Sequence, residues 1–318
     1  MIIITMPELP EVETLRRELA KVLPGRKIKS VSILTPKIVF PLSVRQFTSR
    51  LRGQKIISVD RRAKILLLNL TDNQTLAIHL KMTGQLVYRP NQNQGSTLKH
   101  AKVEPLIIGG QPQPLPQGLS LAGFKDSPFN YTRAVFNFTD GSHLYFNDLR
   151  KFGWLHLLKP QAVTALHEHH GAEPLAPSFT SQTFRAILDR YPRRILKAVL
   201  LDQTLIAGLG NIYADESCFA ARIKPNRRVA TLTAMEKLKL YRAIRSLLTL
   251  SIKHGGTSAR DYRRSDGSRG GFATYLKVYG RAGKPCKNCR PDSKAGRTSI
   301  TKIKLAGRGT HFCPRCQK

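Results

Sequence analysis

The sequence predicts an α+β protein with two domains: a β-rich N-terminal domain flanked by helices, and a helical C-terminal domain that ends in a metal-binding hairpin. Three observations lead to this prediction. Short β-type runs separated by turn residues dominate the first half, helical periodicity dominates the second, and two close cysteine pairs lie near the C-terminus. A length of 318 residues is enough for two hydrophobic cores of ordinary size.

The first predicted element is an amphipathic helix over residues 7–23. Val12, Leu15, Leu19 and Val22 recur at helical spacing and therefore share one face. Glutamates in the first turns suit the positive end of the helix dipole.

Two β-hairpins are predicted next. The runs KILLLNL (64–70) and TLAIHL (75–80) flank a short turn, and AVFNF and SHLYF flank the turn formers Thr139, Asp140 and Gly141. Between the hairpins, residues 91–130 are rich in Gln, Pro and Gly and show no periodicity. We expect an inserted, mobile loop there.

The second half begins with a helix that Ser181 is expected to cap. Residues 193–223 then have the pattern of a helix, a glycine-rich turn and a second helix.

A long helix follows, opened by a capping box between Thr233 and Glu236 and ended by Gly255-Gly256. Its apolar face is predicted to comprise Met235, Leu238, Tyr241, Ile244, Leu248 and Ile252. Residues 257–275 are rich in Arg and Gly and are expected to form a polar loop.

The composition favours a polyanionic partner. Lys and Arg number 53 against 20 Asp and Glu, which gives a formal net charge of +33. Nucleic acid is therefore the first expectation, ahead of an anionic membrane. Residues 281–318 alone hold eleven Lys or Arg and one acid, for which a merely solvated basic surface is the alternative. No apolar run approaches the ~20 residues of a membrane span, so we expect a soluble cytoplasmic protein.

Four of the five cysteines form two Cys-x-x-Cys pairs, Cys286 with Cys289 and Cys313 with Cys316. Two such pairs place four thiolates within reach of one tetrahedral Zn²⁺, and because protein fills every position the zinc is expected to be structural. Disulfides and free thiols are the alternatives. The fifth cysteine, Cys218, lies in a helical stretch and is expected to be a buried core thiol.

The segment Met6-Pro7-Glu8 contains groups that can take part in a reaction. A proline with a free amino terminus is a secondary amine that can attack a sugar C1′ and form an iminium. An α-amino pKa of about 8 leaves a neutral fraction near neutral pH, and Glu8 is placed to act as a general acid. Pro and Glu are also ordinary residues at the start of a helix, which is the alternative.

The five residues MIIIT precede this segment. While they remain attached, the Pro7 nitrogen is a tertiary amide and cannot form an iminium. We expect translation to start at Met6 and removal of that methionine to expose Pro7.

Seven motifs occur in order along the chain: PELPEVETLRREL, RRAKILLLNL, HLKMTGQL, FNDLRKFGWL, LIAGLGNIYADE, YGRAGKPC and the cysteine quartet. Together they resemble the formamidopyrimidine-DNA glycosylase family of bacterial repair enzymes. The resemblance covers nearly the whole chain from Met6, except residues 91–130. The opening is similar to this family rather than to the pyrimidine-directed endonuclease eight, which has Gly in place of Leu9.

The resemblance implies an N-terminal β-sandwich catalytic domain over residues 7–160, a helix–two-turns–helix domain over 175–280 and a zinc finger over 281–318. The implied catalytic residues are Pro7, Glu8, Lys64 and Arg308, with Glu11 as a supporting carboxylate. The implied DNA-binding residues are Met82, Arg150, Phe152, Asn211 and Lys197.

Three of these residues are implied to fill the gap that an extruded base leaves in the duplex. Met82 and Phe152 have the chemistry of apolar wedges, and Arg150 can hydrogen-bond the orphaned pyrimidine. Core packing is the usual role of a Met or Phe in β-rich sequence, and it is the alternative here.

The remaining residues are implied to act on the phosphates. Lys64 and Arg308 would contact phosphates beside the damaged nucleotide, Asn211 would bind a further phosphate, and Lys197 would lie near the site. The loop 257–275 would close over the flipped base. Without the resemblance, Lys64 could be one more surface cation, and Asn211 could cap a helix after Gly210.

The implied activity is that of a bifunctional DNA glycosylase and apurinic-site lyase. Such an enzyme excises 8-oxoguanine and formamidopyrimidines from double-stranded DNA through a Pro7 Schiff base and nicks the strand by β,δ-elimination. It needs one structural zinc, acts as a monomer and is expected on nucleoid DNA. The alternative is a non-catalytic, zinc-containing nucleic-acid-binding protein, if Met1–Thr5 are retained. A pyrimidine-lesion glycosylase is a third hypothesis.

Overall fold

The structure is a computed structural model and describes residues 6–91, 106–110, 131–257, 271–289 and 298–318, with only the backbone described in 106–110. The elements of the first half are α1 (Leu9–Val22), β1 (Ile28–Ile33), α2 (Val44–Leu51), β2 (Ile56–Arg62), β3 (Ile65–Leu70), β4 (Thr75–His79), β5 (Gly84–Arg89), β6 (Leu106–Gly110), β7 (Thr132–Phe138), β8 (His143–Asp148), β9 (Trp154–Leu158) and α3 (Pro160–His169).

Two antiparallel sheets form the N-terminal half. One has the strand order β1-β7-β8-β5-β6 and the other the order β2-β3-β4-β9. Side chains from both sheets, such as Leu68 of β3 and Phe146 of β8, belong to one buried core, which also receives Leu15 of α1 and Phe47 of α2. The predicted β-sandwich flanked by helices is confirmed, and its cause is that each sheet buries an apolar face against the other.

Both predicted hairpins are present, since β3 pairs with β4 and β7 pairs with β8. Strand β3 is apolar almost throughout because both of its faces are covered. Leu66 and Leu68 face the core of the sandwich, whereas Ile65 and Leu67 form a second cluster against which Leu166 of α3 packs. The helix α1 also forms as predicted, with Val12, Leu15 and Leu19 fully buried.

The segment 91–130 differs from the prediction in one stretch. Residues 106–110 form a strand, β6, which pairs with β5 at the edge of the larger sheet. The apolar run LII within this stretch suits an edge strand, although its glycines hid the pattern. The other residues between 92 and 130, with their predicted mobility, lie outside the described residues.

The second half contains α4 (Ser181–Asp189), α5 (Leu196–Leu201), α6 (Asn211–Ala220), α7 (Ala234–Lys253), β10 (Thr301–Leu305) and β11 (Arg308–Phe312). The predicted helix, glycine-rich turn and helix correspond to α5, the turn after it, and α6. The predicted cap at Ser181 is wrong by one residue, because Thr180 is the N-cap and its hydroxyl accepts the N–H of Thr183 at 3.1 Å.

The helix α7 begins at the predicted capping box of Thr233 and Glu236. Its buried residues are Leu240, Ile244, Leu248 and Ser251, whereas Met235 is 57% exposed. The predicted apolar face is thus correct in the middle of the helix and wrong at Met235 in its first turn. No helix in the described part of the chain has the length and apolar character needed to cross a membrane.

The chain ends in a hairpin of β10 and β11 with a small core of its own. Val278 and Ile300 pack with the cysteines of the quartet, and Phe219 of α6 joins them from the helical domain. Cys218, the neighbouring residue, is fully buried in the helical core as predicted. Of the predicted loop 257–275, residues 258–270 lie outside the described part of the chain.

Candidate active site

The N-termini of two helices from different domains meet at the candidate active site. Glu8 is the N-cap of α1 and forms a capping box with Glu11, whose Oε2 accepts the Glu8 N–H at 2.9 Å. Pro7, directly before it, is buried. The Glu8 side chain also reaches the start of α6.

The Glu8 carboxylate lies at the N-terminus of α6. Its Oε1 accepts the N–H of Ile212 at 2.9 Å, and its Oε2 accepts the N–H of Tyr213 at 3.4 Å. The first N–H groups of a helix have no partner within the helix, so an acceptor at this position is expected. The side chain is only 2% exposed, which places an acidic group inside the protein next to Pro7.

Two glycines of the GLGN motif permit this close approach. A Cβ on Gly210 would lie 2.3 Å from the Glu8 Cδ, and a Cβ on Gly208 would lie 2.7 Å from the side chain of Leu9. Gly208 also has a φ of +84°, and its carbonyl accepts the Leu9 N–H at 3.0 Å. Glycine is therefore required at positions 208 and 210, because any side chain at either position would displace the start of α1.

Lys64 lies in the turn between β2 and β3 and points toward the same place. Its Nζ donates to the carbonyl oxygen of Leu209 at 2.8 Å, within the GLGN motif. Burial raises the pKa of Glu8 to about 7, against an opposing effect of the Lys64 charge. Burial likewise lowers the pKa of Lys64, against the opposing charge of Glu8. Near neutral pH, Glu8 therefore has a substantial protonated fraction and can donate a proton.

The turn that carries Lys64 is held by a residue from the linker after α3. The Ala63 N–H donates to Glu173 Oε1 at 2.6 Å, and Arg61 makes two hydrogen bonds to the same carboxylate at 3.0 and 2.9 Å. Ala63 has a φ of +53°, a conformation that non-glycine residues rarely adopt without support. Glu173 provides that support, and the sequence analysis did not identify it.

Glu11, the implied supporting carboxylate, connects three parts of the chain. Its Oε1 accepts hydrogen bonds from the Tyr213 hydroxyl at 2.7 Å and from the Thr257 N–H at 2.7 Å. Its other oxygen belongs to the Glu8 capping box. Glu11 therefore fixes the start of α1 relative to α6 and to Thr257.

The three predicted gap-filling residues lie together, although Met82 is far from the other two in sequence. Arg150 Nη1 donates to the Met82 sulfur at 3.0 Å, and the Arg150 guanidinium lies 4.7 Å from the centre of the Phe152 ring. Phe152 is 51% exposed, so the alternative that it packs in the core is wrong. The cluster of Met82, Arg150 and Phe152, called here the wedge, is a surface feature available to a ligand.

Asn211 and Lys197 both contact the terminal hairpin. Asn211 Nδ2 donates to the Gly309 carbonyl at 2.9 Å, so its side chain does not cap α6, whose N-cap is Gly210. Lys197 is fully buried; its Nζ lies 2.6 Å from Asp215 Oδ1 and donates to the Thr310 hydroxyl at 2.7 Å. Lys197 thus fixes β11 and does not present its charge to a ligand in this structure.

Arg308 begins β11, next to these anchored residues, and is exposed. The carbonyl of the next residue, Gly309, accepts the Asn211 side chain, and Asn211 lies between the Leu209 carbonyl that Lys64 contacts and the Ile212 N–H that Glu8 accepts. The hairpin is therefore positioned so that Arg308, Lys64 and Glu8 border one site. Two of the predicted cations, Lys64 and Arg308, are brought together, and Lys197 supports the hairpin from beneath.

The four paired cysteines converge on one point. Their sulfurs all lie within 4.8 Å of one another, and the closest pairs are 3.1 to 3.7 Å apart. Tetrahedral zinc with Zn–S bonds of about 2.3 Å requires sulfurs about 3.8 Å apart. No disulfide joins these cysteines. The four thiols fit Zn²⁺ in number, chemical type and spacing, and no position remains open for a reactant.

Removal of the zinc is expected to weaken DNA binding while the rest of the protein stays folded. The hairpin has only a small core, so its fold depends on the metal, and Arg308 depends on the hairpin. We expect Cys313→Ser to lose its zinc and to weaken binding to abasic-site DNA about 10- to 100-fold at fixed salt, as the loss of oriented phosphate contacts would predict.

The measurement is metal content by mass spectrometry together with gel-shift titration and circular dichroism. Cys218→Ala is the matched control, since this buried thiol lies outside the quartet and its replacement should leave the zinc content unchanged. DNA binding that survives zinc loss unchanged would contradict the assigned role of the hairpin.

Fold and site together define a two-domain, zinc-containing protein with an acidic group of raised pKa beside a proline and a basic face around it. Comparisons with known proteins agree with this class. Family models match in chain order: the formamidopyrimidine-DNA glycosylase N-terminal domain at residues 6–155, the H2TH domain of the same family at residues 170–263, and a zinc finger found in FPG and IleRS at residues 297–318.

The chain belongs to the formamidopyrimidine-DNA glycosylase family. A relative of that name from Pelotomaculum thermopropionicum is 41% identical, with 98% of this chain and 99% of the relative covered. Two solved structures of the Lactococcus lactis FPG protein cover 98% of this chain. A mutant in complex with Fapy-dG-containing DNA has 34% identity and a TM-score of 0.79 and is covered completely; a complex with abasic-site DNA has 32% identity and a TM-score of 0.78 and is 99% covered. The sequence resemblance and the expected single structural zinc are confirmed.

Proposed function

We propose that this protein is a bifunctional DNA glycosylase and apurinic-site lyase that excises oxidised purines from double-stranded DNA. The observation that carries the proposal is the Glu8 carboxyl group, buried beside Pro7 at the N-terminus of α6 with its pKa raised to about 7. A carboxyl group kept partly protonated at neutral pH is suited to donate a proton to a leaving group or a sugar oxygen.

Pro7, as a free secondary amine, is the proposed nucleophile. Its nitrogen forms a bond to C1′ of the damaged nucleotide as the bond from C1′ to the base breaks, and the electron pair leaves with the base. One proton goes to the departing base and one to the ring oxygen, whose bond to C1′ then opens and leaves an iminium. Glu8 supplies one of these protons, and the Pro7 nitrogen loses the other. The iminium acidifies the C2′ proton, so β-elimination expels the 3′ phosphate, and a following δ-elimination expels the 5′ phosphate.

The nucleotide must leave the base stack before Pro7 can reach C1′. Extrusion costs a few kcal/mol, which contacts between the DNA and the strongly basic protein offset. The wedge is proposed to occupy the vacated space, with Arg150 hydrogen-bonded to the orphaned cytosine and Met82 and Phe152 between the neighbouring bases. Lys64 and Arg308 are proposed to hold the flanking phosphates.

The zinc holds the hairpin that carries Arg308 and takes no part in the reaction, because four cysteines occupy its coordination positions. The two solved structures of the Lactococcus lactis FPG protein contain DNA with a Fapy-dG or an abasic site, which supports damaged DNA of this kind as the substrate class. In the cell we place the protein on nucleoid DNA as a monomer.

Borohydride trapping tests the proposal and ranks its alternatives. Protein whose first residue is Pro7 is incubated with duplexes that carry 8-oxoguanine opposite cytosine, thymine glycol opposite adenine, or no lesion, and the mixture is then reduced. We expect a covalent adduct with the 8-oxoguanine duplex, formed faster than with thymine glycol, and none with undamaged DNA. Binding without an adduct would favour a non-catalytic DNA-binding protein, and faster trapping with thymine glycol would favour a pyrimidine-lesion glycosylase.

A further inference from the structure

The wedge is built on two separate turns that have no strand in common. Met82 lies in the turn between β4 and β5, and Arg150 and Phe152 lie in the turn between β8 and β9. Each turn contains a lysine in the left-handed region, Lys81 with a φ of +51° and Lys151 with a φ of +57°. Such conformations are unfavourable for residues other than glycine and persist only where the surroundings enforce them. Something must therefore hold both turns.

One buried carboxylate contacts both turns. Asp148, the last residue of β8, is fully buried. Its Oδ1 accepts the hydroxyl of Thr83 from the first turn and, at 3.2 Å, the N–H of Arg150 from the second. Its Oδ2 accepts the N–H of Gly153 at 2.7 Å. The carboxylate thus spans the second turn from Arg150 to Gly153 and joins it to the first.

The packing around this carboxylate leaves little freedom. The Thr83 hydroxyl also accepts the Arg150 N–H at 3.0 Å, so Thr83, Asp148 and Arg150 form a closed triangle of hydrogen bonds. A Cβ on Gly153 would lie 2.6 Å from Phe146 and 3.2 Å from Asp148 Oδ2. A glycine is therefore required for the second turn to reach the carboxylate.

We propose that Asp148, together with Thr83, is a positioning residue that holds the two halves of the wedge in register before DNA binds. This inference rests on the proposed function. Neither side chain is exposed enough to contact DNA, and both act through the backbone of Arg150 and the turn of Met82. The physical advantage is preorganisation: two turns fixed in advance lose less conformational freedom when they enter the duplex. The Asp148 carboxylate fixes the backbone position of Arg150, the residue proposed to face the orphaned base. Asp148 and Thr83 therefore contribute to opposite-base specificity.

A purely structural role would lower stability and reduce all activities alike. The two explanations separate because the wedge acts only where there is a gap in a duplex. A single-stranded oligonucleotide with an abasic site has no opposite base and no gap, so its cleavage requires Pro7 but not the wedge. The ratio of the rate of lesion excision from duplex DNA to the rate of abasic-site cleavage in single-stranded DNA therefore measures the contribution of the wedge.

The test compares Thr83→Val with Thr132→Val. Both threonines are buried in the same domain. Thr83 donates its hydroxyl to the side chain of Asp148, the last residue of β8, and Thr132 donates its hydroxyl to the side chain of Asn147, the residue before it. Only Thr83 contacts a wedge turn. Asp148→Asn is the stronger variant, since an amide leaves one of the three donors without an acceptor.

We expect Thr83→Val to lower the duplex-to-single-strand ratio about fivefold and Asp148→Asn at least about tenfold, in line with the loss of one or more buried hydrogen bonds. Both should also reduce the preference for cytosine over adenine opposite 8-oxoguanine, and Thr132→Val should leave the ratio and the preference at wild-type values. Equal loss of both activities, or a ratio unchanged in Thr83→Val at wild-type melting temperature, would overturn the inference. If the wild-type protein excises no lesion, the proposed function fails instead.

Discussion

A chain that begins at Pro7 is expected to form a borohydride-reducible adduct with 8-oxoguanine DNA, whereas a chain that retains Met1–Met6 is not. In the longer chain the Pro7 nitrogen is an amide, whose lone pair is delocalised and which has no proton to lose. We expect adduct formation and excision to fall by at least about 10³-fold, as for the loss of a covalent nucleophile in other enzymes. Adduct yield on a denaturing gel measures the difference.

Two controls make this result specific. Both forms should bind an abasic-site analogue with similar affinity in a gel shift, because the residues that border the site are present in each. Lys64 is the competing nucleophile, since it is an amine with a lowered pKa close to Glu8. Adduct from the longer chain that disappears with Lys64→Ala would assign the chemistry to lysine and refute the role of Pro7.

Replacement of Glu8 is expected to have the second largest effect. Glu8→Gln retains the acceptor for one α6 N–H but cannot donate a carboxylic acid proton, so we expect base excision to fall about 10²- to 10⁴-fold. Cleavage of a preformed abasic site should fall less, because the base has already left. Single-turnover assays with 8-oxoguanine and abasic duplexes measure the two rates. Equal loss of both would show that Glu8 acts on a step common to the two reactions, such as ring opening, or on folding, rather than on the departing base.

The pH profile tests the same group. Burial raises the pKa of Glu8 to about 7, so the proton-donating form dominates below pH 7 and is lost as the pH rises. An α-amino group ordinarily has a pKa of about 8, and the Pro7 amine is reactive only when deprotonated. The product of the two fractions gives a bell-shaped excision rate with a maximum between pH 7 and 8 and slopes of about tenfold per unit on each side. In Glu8→Gln the alkaline limb should disappear, and an alkaline limb that remains would assign it to another group.

The raised pKa also has a consequence for folding. Since the folded protein favours neutral Glu8, its contribution to stability is fully present below the unfolded pKa of 4.5 and is lost as the pH rises through 7. This cost is consistent with a group retained for its chemistry rather than for stability. The structure offsets part of the cost through the charge of Lys64 and the N–H groups at the start of α6.

Local patterns explain why so much of the fold could be predicted from the sequence. The hairpins on either side of the insertion, the stripe of Val12, Leu15 and Leu19, and the capping box at Thr233 depend on residues a few positions apart. The spacing of the cysteine pairs is also local, and the chemistry of zinc fixes how the pairs combine. Where local signals were weak, predictions failed, as for β6 with its glycines and for the exposed first turn of α7.

The sequence, through its motifs and their resemblance to a known family, predicted which residues form the proposed site: Pro7 and Glu8, the cations Lys64 and Arg308, and the four paired cysteines. Only the tertiary structure decided how they act. Glu8 has a raised pKa because folding buries it where the start of α1 meets the start of α6, about 200 residues away in the sequence. Packing also turned Lys197 inward to Asp215 and made Asp148 the link between two turns. Hydrogen bonds and burial between distant segments have no period in the sequence, so they become visible only once the chain is folded.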